Sequence, residues 1–258
     1  MTPKIIFEDH HILVVYKPQG MAVETAKVTE TDLITYLKRY LYEKSRELIK
    51  TEKQAGKEPY LAMVHRLDQP VEGLLVFAKT PFAAKELSRQ VQDNQMKKGY
   101  VAAVSIDREV NGKPIFNDVK NMKKEENARQ LLEDYLVKDG KTNTSKVVAK
   151  EIKGAKKAVL FYKLAAVHEQ EGIGMVEIEL MTGRHHQIRV QMAHAGMPLL
   201  GDLKYGSEAS KRKSEGLCVR QTALCACQLG FLHPKTGKAL IFRIEPENGI
   251  FQRFSELI

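Results

Sequence analysis

Short β-type runs that pair across polar turns restrict the fold of this chain more than any other feature of its sequence. The turns between them are brief, as at Asp9-His10-His11 and Glu169-Gln170-Glu171-Gly172, and this spacing is typical of antiparallel hairpins. The paired runs are 4–9 with 12–17 and 158–167 with 174–180, and further strand-like runs lie at 131–137, 146–148, 223–232 and 239–244. Repeated hairpins favour an antiparallel sheet over the alternating strands and helices of a doubly wound fold.

Three segments carry patterns typical of helices, and a short helix is expected near the end of the chain. The first begins near Thr31 and repeats apolar residues three and four positions apart, with Thr31 or Thr29 as its N-cap. The second follows Thr80-Pro81, because Thr is a good N-cap and Pro suits the first helical turn. The third is expected from about Thr182 to Gly196. Together with the hairpins, these helices predict an α+β fold whose mixed, largely antiparallel sheet is flanked by helices.

The length of the chain, 258 residues, is enough to bury a substantial core. Residues 107–157 are polar and contain turn signals such as Asn111-Gly112 and Asp139-Gly140. Their composition does not require a domain boundary. We therefore expect a single domain over residues 1–258, with 107–157 as a hairpin-rich excursion from its core.

The sequence has no feature of a membrane or secreted protein. No apolar run approaches the roughly 20 residues that a membrane-spanning helix needs. The first residues, Met1 to Glu8, reach an acidic side chain without a long apolar segment, unlike a signal peptide. We therefore expect a soluble, cytoplasmic protein with no membrane partner.

The chain is basic, with 41 Lys and Arg against 32 Asp and Glu and a formal net charge of +9. The excess is concentrated in four clusters: Lys97-Lys98, Lys123-Lys124, Lys156-Lys157 and Lys211-Arg212-Lys213. Such a balance favours a polyanionic partner. Lysine-rich solvated surfaces are also common in cytoplasmic proteins, so charge alone does not establish nucleic-acid binding.

Three cysteines lie close together near the end of the chain, at Cys218, Cys225 and Cys227. Their odd number and local grouping do not resemble the disulfide framework of a secreted protein. With His233 they could supply four zinc ligands, but a Cys-x-Cys pair is not the usual Cys-x2-Cys knuckle. Cys225 and Cys227 would share one face of a strand, so we favour small apolar side chains in a sheet.

Asp68 is the first candidate catalytic residue, because it stands in the loop His65-Arg66-Leu67-Asp68-Gln69-Pro70 between the predicted strands 60–64 and 73–78. Loops held by rigid strands commonly carry functional groups. A reactive carboxylate needs a nearby cation to stay ionised and aimed, and the candidates are Arg66, His65 and the segment with Arg184 and Arg189. Glu72 also invites a glycosidase interpretation with paired carboxylates, although Pro70 and Gly73 leave the spacing of that pair undetermined.

Four ordered motifs resemble those of the RluA-like pseudouridine synthases. They are Glu8-Asp9 through Val14-Val15-Tyr16-Lys17-Pro18, then His65-Arg66-Leu67-Asp68 with Gly73-Leu74-Leu75-Val76-Phe77-Ala78-Lys79, then Gly183-Arg184-x-His186-Gln187-Ile188-Arg189, and finally Pro198-Leu199-x-Gly201-Asp202-x-x-Tyr205-Gly206. The resemblance spans residues 8 to 206 and implies the pseudouridine synthase catalytic fold. It also implies that uridine in RNA is isomerised to pseudouridine without a metal or organic cofactor.

The resemblance assigns roles to individual residues. The essential aspartate of the family falls on Asp68, which would attack C1′ or remove a 2′ proton. The active-site tyrosine falls on Tyr100, where it would pack against the base, and the basic partner of the aspartate falls on Arg189. That pairing would keep Asp68 ionised, and we expect it mainly to orient the carboxylate. Arg66 would hold the flipped-out nucleotide.

Further basic residues are candidates for binding the RNA substrate. Arg184 and His186 lie in the first turns of the predicted third helix, where a phosphate would gain from the side chains and the helix end. Because the first motif begins at about residue 8, we expect no separate S4-type RNA-binding module. Recognition of rRNA or tRNA would then rest on the catalytic domain itself, with no obligate protein partner.

The sequence departs from the family pattern at two places. Val71-Glu72 replaces the usual Thr-Ser, and His185 replaces a usual Thr, so contacts around the target nucleotide can differ.

Two rival functions are considered. One is an RNA-binding chaperone without turnover, which the joint presence of Asp68, Tyr100 and Arg189 disfavours. The other is a nucleoside or glycoside hydrolase, which lacks a clear second acid here.

Overall fold

The computed structural model describes residues 2–26, 30–48, 58–106 and 129–255. The chain divides into two compact units. Unit 1 consists of residues 1–96 and 229–244, and unit 2 consists of residues 97–228 and 245–258. The first part of the predicted excursion, residues 107–128, lies outside the described residues, whereas its remainder forms a hairpin in unit 2.

Unit 1 is built on antiparallel pairs of strands. Its strands are β1 (Lys4–Glu8), β2 (Ile12–Lys17), β3 (Ala62–Met63), β4 (Glu72–Ala78) and, later in the chain, β11 (Ala239–Arg243). The predicted β1–β2 hairpin is confirmed. Strand β2, buried throughout, pairs with β4 from Ile12 opposite Ala78 to Lys17 opposite Gly73. The strand predicted over 60–64 is limited to β3, which pairs with the end of β4.

Two helices pack in unit 1. Helix α1 (Leu33–Leu48) is capped by Asp32, whose Oδ1 accepts a hydrogen bond from the Thr35 N–H at 2.7 Å. The prediction of Thr31 as the cap is therefore wrong by one residue, and Thr29 lies outside the described residues. Helix α2 (Pro81–Gln92) begins as predicted, because Thr80 accepts from the Ala83 N–H and proline occupies the first turn.

Unit 2 is built on a series of antiparallel strands. Its strands are β5 (Lys97–Ser105), β6 (Gln130–Asp139), β7 (Thr144–Val148), β8 (Lys156–His168), β9 (Ile173–Leu180) and the first part of β10 (Leu224–Leu232), which crosses the division between the units after Gln228. The pairing order is β5-β9-β8-β6-β7, antiparallel at each step. The predicted hairpins are confirmed, and so is the α+β fold with a largely antiparallel sheet.

Helix α3 (Gln187–His194) is shorter than predicted. The chain reaches it through His186, whose φ of 54° is not helical. The preceding loop is held by the Gln187 side chain, whose Oε1 accepts from Thr182 Oγ1 at 2.8 Å and from the Arg184 N–H at 3.0 Å. These bonds offer the backbone an alternative to a helical turn. The end of the helix is confirmed, since Gly196 follows it with a φ of 79°.

A fourth helix, α4 (Glu208–Gly216), was not predicted. Its sequence lacks an apolar stripe, and the residues it buries are Ser210 and Ser214. Its one local signal is Ser207, whose Oγ caps the Ser210 N–H at 3.0 Å. The closing helix is a 3₁₀ helix over Gly249–Phe254. Within the described ranges, none of the helices has both the length and the apolar character needed to cross a bilayer.

Candidate active site

Asp68 lies in the loop between β3 and β4 of unit 1 and is half-buried. Its carbonyl oxygen accepts from the Val71 N–H at 3.0 Å, which closes a turn around Pro70. His65 Nε2 accepts from the Val76 N–H of β4 at 3.2 Å, so this histidine secures the loop to the sheet. Arg66 is exposed on the same loop. The loop thus presents Asp68 and Arg66 from a firmly held backbone.

A second loop, residues 18–21, is bound to the Asp68 loop by hydrogen bonds. The Gly20 N–H donates to the Gln69 carbonyl at 3.0 Å, and Gln69 Nε2 donates back to the Gly20 carbonyl at 3.0 Å. Lys17 Nζ donates to the carbonyls of Met21 (2.8 Å), Pro18 (3.0 Å) and Gln69 (3.2 Å). One buried ammonium group therefore connects both loops directly beside Asp68.

Lys17 is a basic neighbour of Asp68, and its side chain is fully buried. Burial lowers the pKa of Lys17 to about 7, although the nearby charges of Asp68 and Glu72 favour the protonated amine. The sequence suggested His65 and several arginines as the cation beside Asp68, and not Lys17. The Lys17-Pro18 pair in the sequence predicts a turn, but it does not show that the lysine side chain is buried.

Glu72 is almost completely buried, with 1% of its surface exposed, at the first position of β4. Tyr16 Oη donates to Glu72 Oε2 at 2.6 Å. Its neighbour Gly73 pairs with Lys17 across the sheet, which brings the carboxylate close to the buried amine. These contacts give Glu72 a structural role in holding the β2–β4 pair, and they do not expose it as an acid for a glycosidase reaction.

The titration of Lys17 predicts a pH-dependent contribution to stability. The folded pKa is about 7 and the ordinary pKa is 10.5, so the unfolded chain binds more protons between these values and stability rises with pH across that window. Compared with Lys17→Met, the wild-type free energy of unfolding should increase by about 2 kcal/mol between pH 7 and pH 9. Urea denaturation at both pH values measures this difference. An equal change in both proteins would contradict a lowered pKa.

Tyr100 lies in β5 of unit 2, opposite Ile178 of β9, and only 8% of its surface is exposed. It lines a groove of about 680 Å³, together with Lys98 and Tyr162. Burial lowers the pKa of Lys98 and raises the pKa of Tyr162. The charges of the lining are mixed, since Glu177 and Glu179 also belong to it, and its aromatic side chains suit the stacking of a planar base.

Arg189, in α3, forms a buried bidentate ion pair with Asp202. Arg189 Nε and Nη2 each lie 2.7 Å from a carboxylate oxygen of Asp202, and the two side chains are 5% and 1% exposed. The guanidinium group also lies over the ring of Tyr205, 5.2 Å from its centroid. Asp202 binds the Nε edge of the guanidinium group. The expected contact of Arg189 with Asp68 stays a prediction.

Asp202 was missed as a site residue, although it belongs to a recognised motif. Gly201 precedes it with a φ of 71°, and a Cβ atom there would lie 2.1 Å from the Gln221 carbonyl oxygen. Only glycine fits that position. The Gly201-Asp202 pair therefore fixes the backbone so that the carboxylate reaches Arg189.

The structure places the two remaining candidates, His186 and Arg184, in the loop before α3. His186 Nδ1 lies 2.7 Å from Tyr205 Oη, which brings His186 into the same cluster as Arg189. Arg184 is exposed, and its Nε donates to the Lys157 carbonyl at 2.8 Å. Unit 2 thus groups His186 with Arg189 and presents Arg184 at the surface.

The zinc alternative is not supported by the arrangement of the cysteines and His233. Cys225 is buried in β10, and Cys218 is exposed at a φ of 57°. His233 Nε2 lies 2.6 Å from Asp9 Oδ2, and its Nδ1 accepts from two backbone N–H groups. In the part of the chain that the structure describes, no three His, Cys, Asp or Glu side chains come together as a metal site.

Comparison with known proteins gives a consistent result. Residues 11–194 match the family described as RNA pseudouridylate synthase. The chain is 32% identical over 244 residues to ribosomal large subunit pseudouridine synthase D of Zymomonas mobilis, which covers 94% of this chain and 68% of the relative. It is 30% identical to ribosomal large subunit pseudouridine synthase C of Buchnera aphidicola, over 92% of this chain and 65% of the relative. The chain thus spans about two thirds of the length of these relatives.

Solved structures share the fold at lower identity. Human RNA Pseudouridylate Synthase Domain Containing 1 superposes with a TM-score of 0.69 at 18% identity, covering 95% of this chain and 84% of the other. Human RNA Pseudouridylate Synthase Domain Containing 4 gives a TM-score of 0.68 at 20% identity, covering 98% and 92%. At such identity the similarity concerns the fold.

Proposed function

The chain belongs to the RNA pseudouridylate synthase family, a family of isomerases that act on RNA, and on this basis we propose that it converts specific uridines of ribosomal RNA to pseudouridine. The observation that carries the proposal is the family match over residues 11–194, which contains Asp68, Tyr100 and Arg189. Ribosomal RNA is favoured over transfer RNA because two relatives are named for the large ribosomal subunit. Ribosome modification suits a cytoplasmic protein.

The reaction that we propose breaks the N1–C1′ glycosidic bond of uridine and forms a C5–C1′ bond. The C5 proton is lost and N1 gains a proton, so the nucleotide changes neither its mass nor its charge. Asp68 supplies the carboxylate, either as a nucleophile at C1′ or as a base at the 2′ position. The buried amine of Lys17 lies near Asp68 and connects the two loops that position this carboxylate.

Tyr100 and Arg189 have distinct roles in this proposal. Tyr100 packs against the uracil ring while it turns, and its buried position in β5 gives the ring a fixed surface. Arg189 orients the reacting carboxylate, and Asp202 holds its guanidinium group at a single angle through two hydrogen bonds. A catalytic arginine supported in this way needs little rearrangement during the reaction.

Binding must also extrude the target nucleotide, at a cost of about a few kcal/mol. The exposed Arg66, beside Asp68, is proposed to hold the flipped-out nucleotide. The exposed Arg184 and the motif residue His186 are proposed to bind RNA from unit 2. We further propose that both units act together as one catalytic domain with no obligate protein partner, since the family match includes residues of each.

Release of tritium from RNA labelled at C5 of uridine tests the proposed function. The purified chain, incubated with large-subunit ribosomal RNA transcripts, should release tritium in proportion to the number of pseudouridines formed. Transfer RNA transcripts at equal uridine concentration provide the comparison and should release far less. Release only from transfer RNA would overturn the choice of substrate, and RNA binding without release from any RNA would favour a chaperone.

A further inference from the structure

The turn of the β6–β7 hairpin is clamped by side chains from two loops of unit 2. Tyr205 Oη accepts from the Ser145 N–H at 2.8 Å. His185 lies 2.9 Å from Ser145 Oγ through Nδ1 and 3.1 Å from Asn143 Oδ1 through Nε2. Lys204 Nζ donates to the Asn143 carbonyl at 2.9 Å. Four hydrogen bonds therefore fix a turn that would otherwise project from the unit.

The same residues connect this turn to the Arg189 cluster. The rings of His185 and His186 are stacked at a centroid distance of 3.7 Å, and His186 Nδ1 meets Tyr205 Oη. The backbone N–H groups of Lys204 and Tyr205 donate to Asp202 Oδ1 at 3.0 and 3.2 Å, on the carboxylate that binds Arg189. The position of the turn is thus set relative to Arg189.

The clamped turn is strongly basic. Residues 138–146 include three lysines, at Lys138, Lys141 and Lys146, and all three are exposed, as is Lys204. The one acidic residue of this stretch is Asp139, whose Oδ1 accepts from the backbone N–H of Lys141 at 2.8 Å. That bond, which lowers the pKa of Asp139, uses the carboxylate to form the turn. The exposed charge around the turn is therefore mainly positive.

Two lysines of the predicted clusters, Lys213 and Lys157, make contacts within the protein. Lys213 Nζ, from the most basic cluster of the sequence, donates to Ser105 Oγ and the Gly172 carbonyl at 2.9 and 2.7 Å. Lys157 pairs with Glu133 at 2.9 Å. The lysines of the hairpin instead surround an exposed turn. Lys138 lies opposite Ser145 and Lys146 opposite Val137, so they project from the two faces of the ribbon.

We propose that the basic turn, defined as Lys138, Lys141, Lys146 and Lys204, binds the sugar-phosphate backbone of the RNA beside the reacting nucleotide, and that His185 positions it. This inference rests on the proposed function for its RNA partner. Lysine ammonium groups on both faces of a narrow ribbon suit phosphates that lie on either side of it. His185, which bonds to both Ser145 and Asn143, would set the position of the turn and so influence which RNA segment is accepted.

The first test removes the charge of two lysines and keeps a polar, flexible side chain at each position. Lys141→Gln with Lys146→Gln should weaken binding of the RNA substrate about tenfold at low salt and reduce the slope of log Kd against log salt by about 1.5. KM should rise while kcat at saturating RNA stays within about twofold, because the turn does not touch the reacting atoms. The matched control is Lys150→Gln with Lys153→Gln, two exposed lysines beyond the other end of β7, which should change neither quantity.

Two further variants separate charge from structure. Lys141→Arg with Lys146→Arg keeps both charges and should restore wild-type affinity. His185→Ala should weaken binding by a similar factor, and combining it with the two glutamine substitutions should add little, because both act through the same turn.

A Kd and a salt slope equal to those of the control pair would overturn the proposal. So would a loss of affinity that the arginine variant does not restore. These outcomes are measured by binding, so they are distinct from a failure of the proposed function, in which the wild-type chain binds RNA but releases no tritium.

Discussion

Replacing Asp68 with asparagine should lower the rate of pseudouridine formation by at least about 1,000-fold while leaving RNA affinity within about tenfold. The amide has nearly the shape of the carboxylate but can neither attack C1′ nor accept the 2′ proton. The fold should persist, because the Asp68 loop is held by the backbone bond from Val71 and by the bonds between Gln69 and Gly20. Single-turnover tritium release and filter binding measure the two effects.

A suitable control for this variant is Asp93→Asn. Asp93 is an exposed carboxylate of unit 1 whose ion pair with Arg89 lies at the surface, where such pairs contribute little. That variant should retain wild-type turnover and stability. If Asp68→Asn retained a tenth or more of wild-type turnover, Asp68 would not be the essential carboxylate.

Breaking the Arg189–Asp202 pair should have the largest effect on stability. Asp202→Asn removes the charge that compensates a buried guanidinium group with 5% exposure, and leaving one member of such a pair uncompensated costs about 3–5 kcal/mol. The free energy of unfolding from urea denaturation should fall by that amount. Turnover should fall as well, because the amide keeps only one acceptor oxygen and Arg189 loses one of the two bonds that set its angle.

A double variant distinguishes stability from catalysis at this pair. Arg189→Met with Asp202→Leu replaces both charges with apolar groups and should recover much of the lost stability, since buried pairs are often replaceable in this way. It should not recover activity if Arg189 orients the carboxylate. Recovery of both properties would make the pair purely structural. Wild-type stability in Asp202→Asn would show that the buried guanidinium group does not need the negative charge of Asp202.

The hairpins of the fold were predictable because their signals are local. Alternation of apolar residues and a polar turn between two runs specify a hairpin without knowledge of the rest of the chain. The cap of α2 was predictable for the same reason, since Thr80 and Pro81 act on the first helical turn. The β8–β9 pair, with Glu169 to Gly172 as its turn, follows the same logic.

Elements without a local apolar pattern were not predictable. Helix α4 buries serines rather than large side chains, so no helical stripe marks it. The first turns of the predicted third helix do not form, because the side chain of Gln187 binds the loop from Thr182 to Arg184. That competition between side-chain bonds and helical bonds depends on the tertiary position of the loop.

The candidate site was predictable in its motif residues and not in their supports. Asp68, Tyr100 and Arg189 were assigned by resemblance, whereas Lys17 and Asp202 obtain their importance from burial. A lysine that donates to three carbonyls, or an aspartate enclosed against an arginine, is recognised only when distant loops are placed together. The sequence shows that these residues are present, but it does not show that their side chains are buried.

Mapping pseudouridines in ribosomal RNA is the decisive test of the proposed activity. A strain that lacks the gene would be compared with its parent, with the strain carrying the wild-type gene, and with the strain carrying Asp68→Asn. We expect that one or more ribosomal uridines remain unmodified in the deletion strain, regain pseudouridine with the wild-type gene, and stay unmodified with Asp68→Asn. An unchanged set of ribosomal pseudouridines in the deletion strain would contradict it, as would full restoration by the asparagine variant.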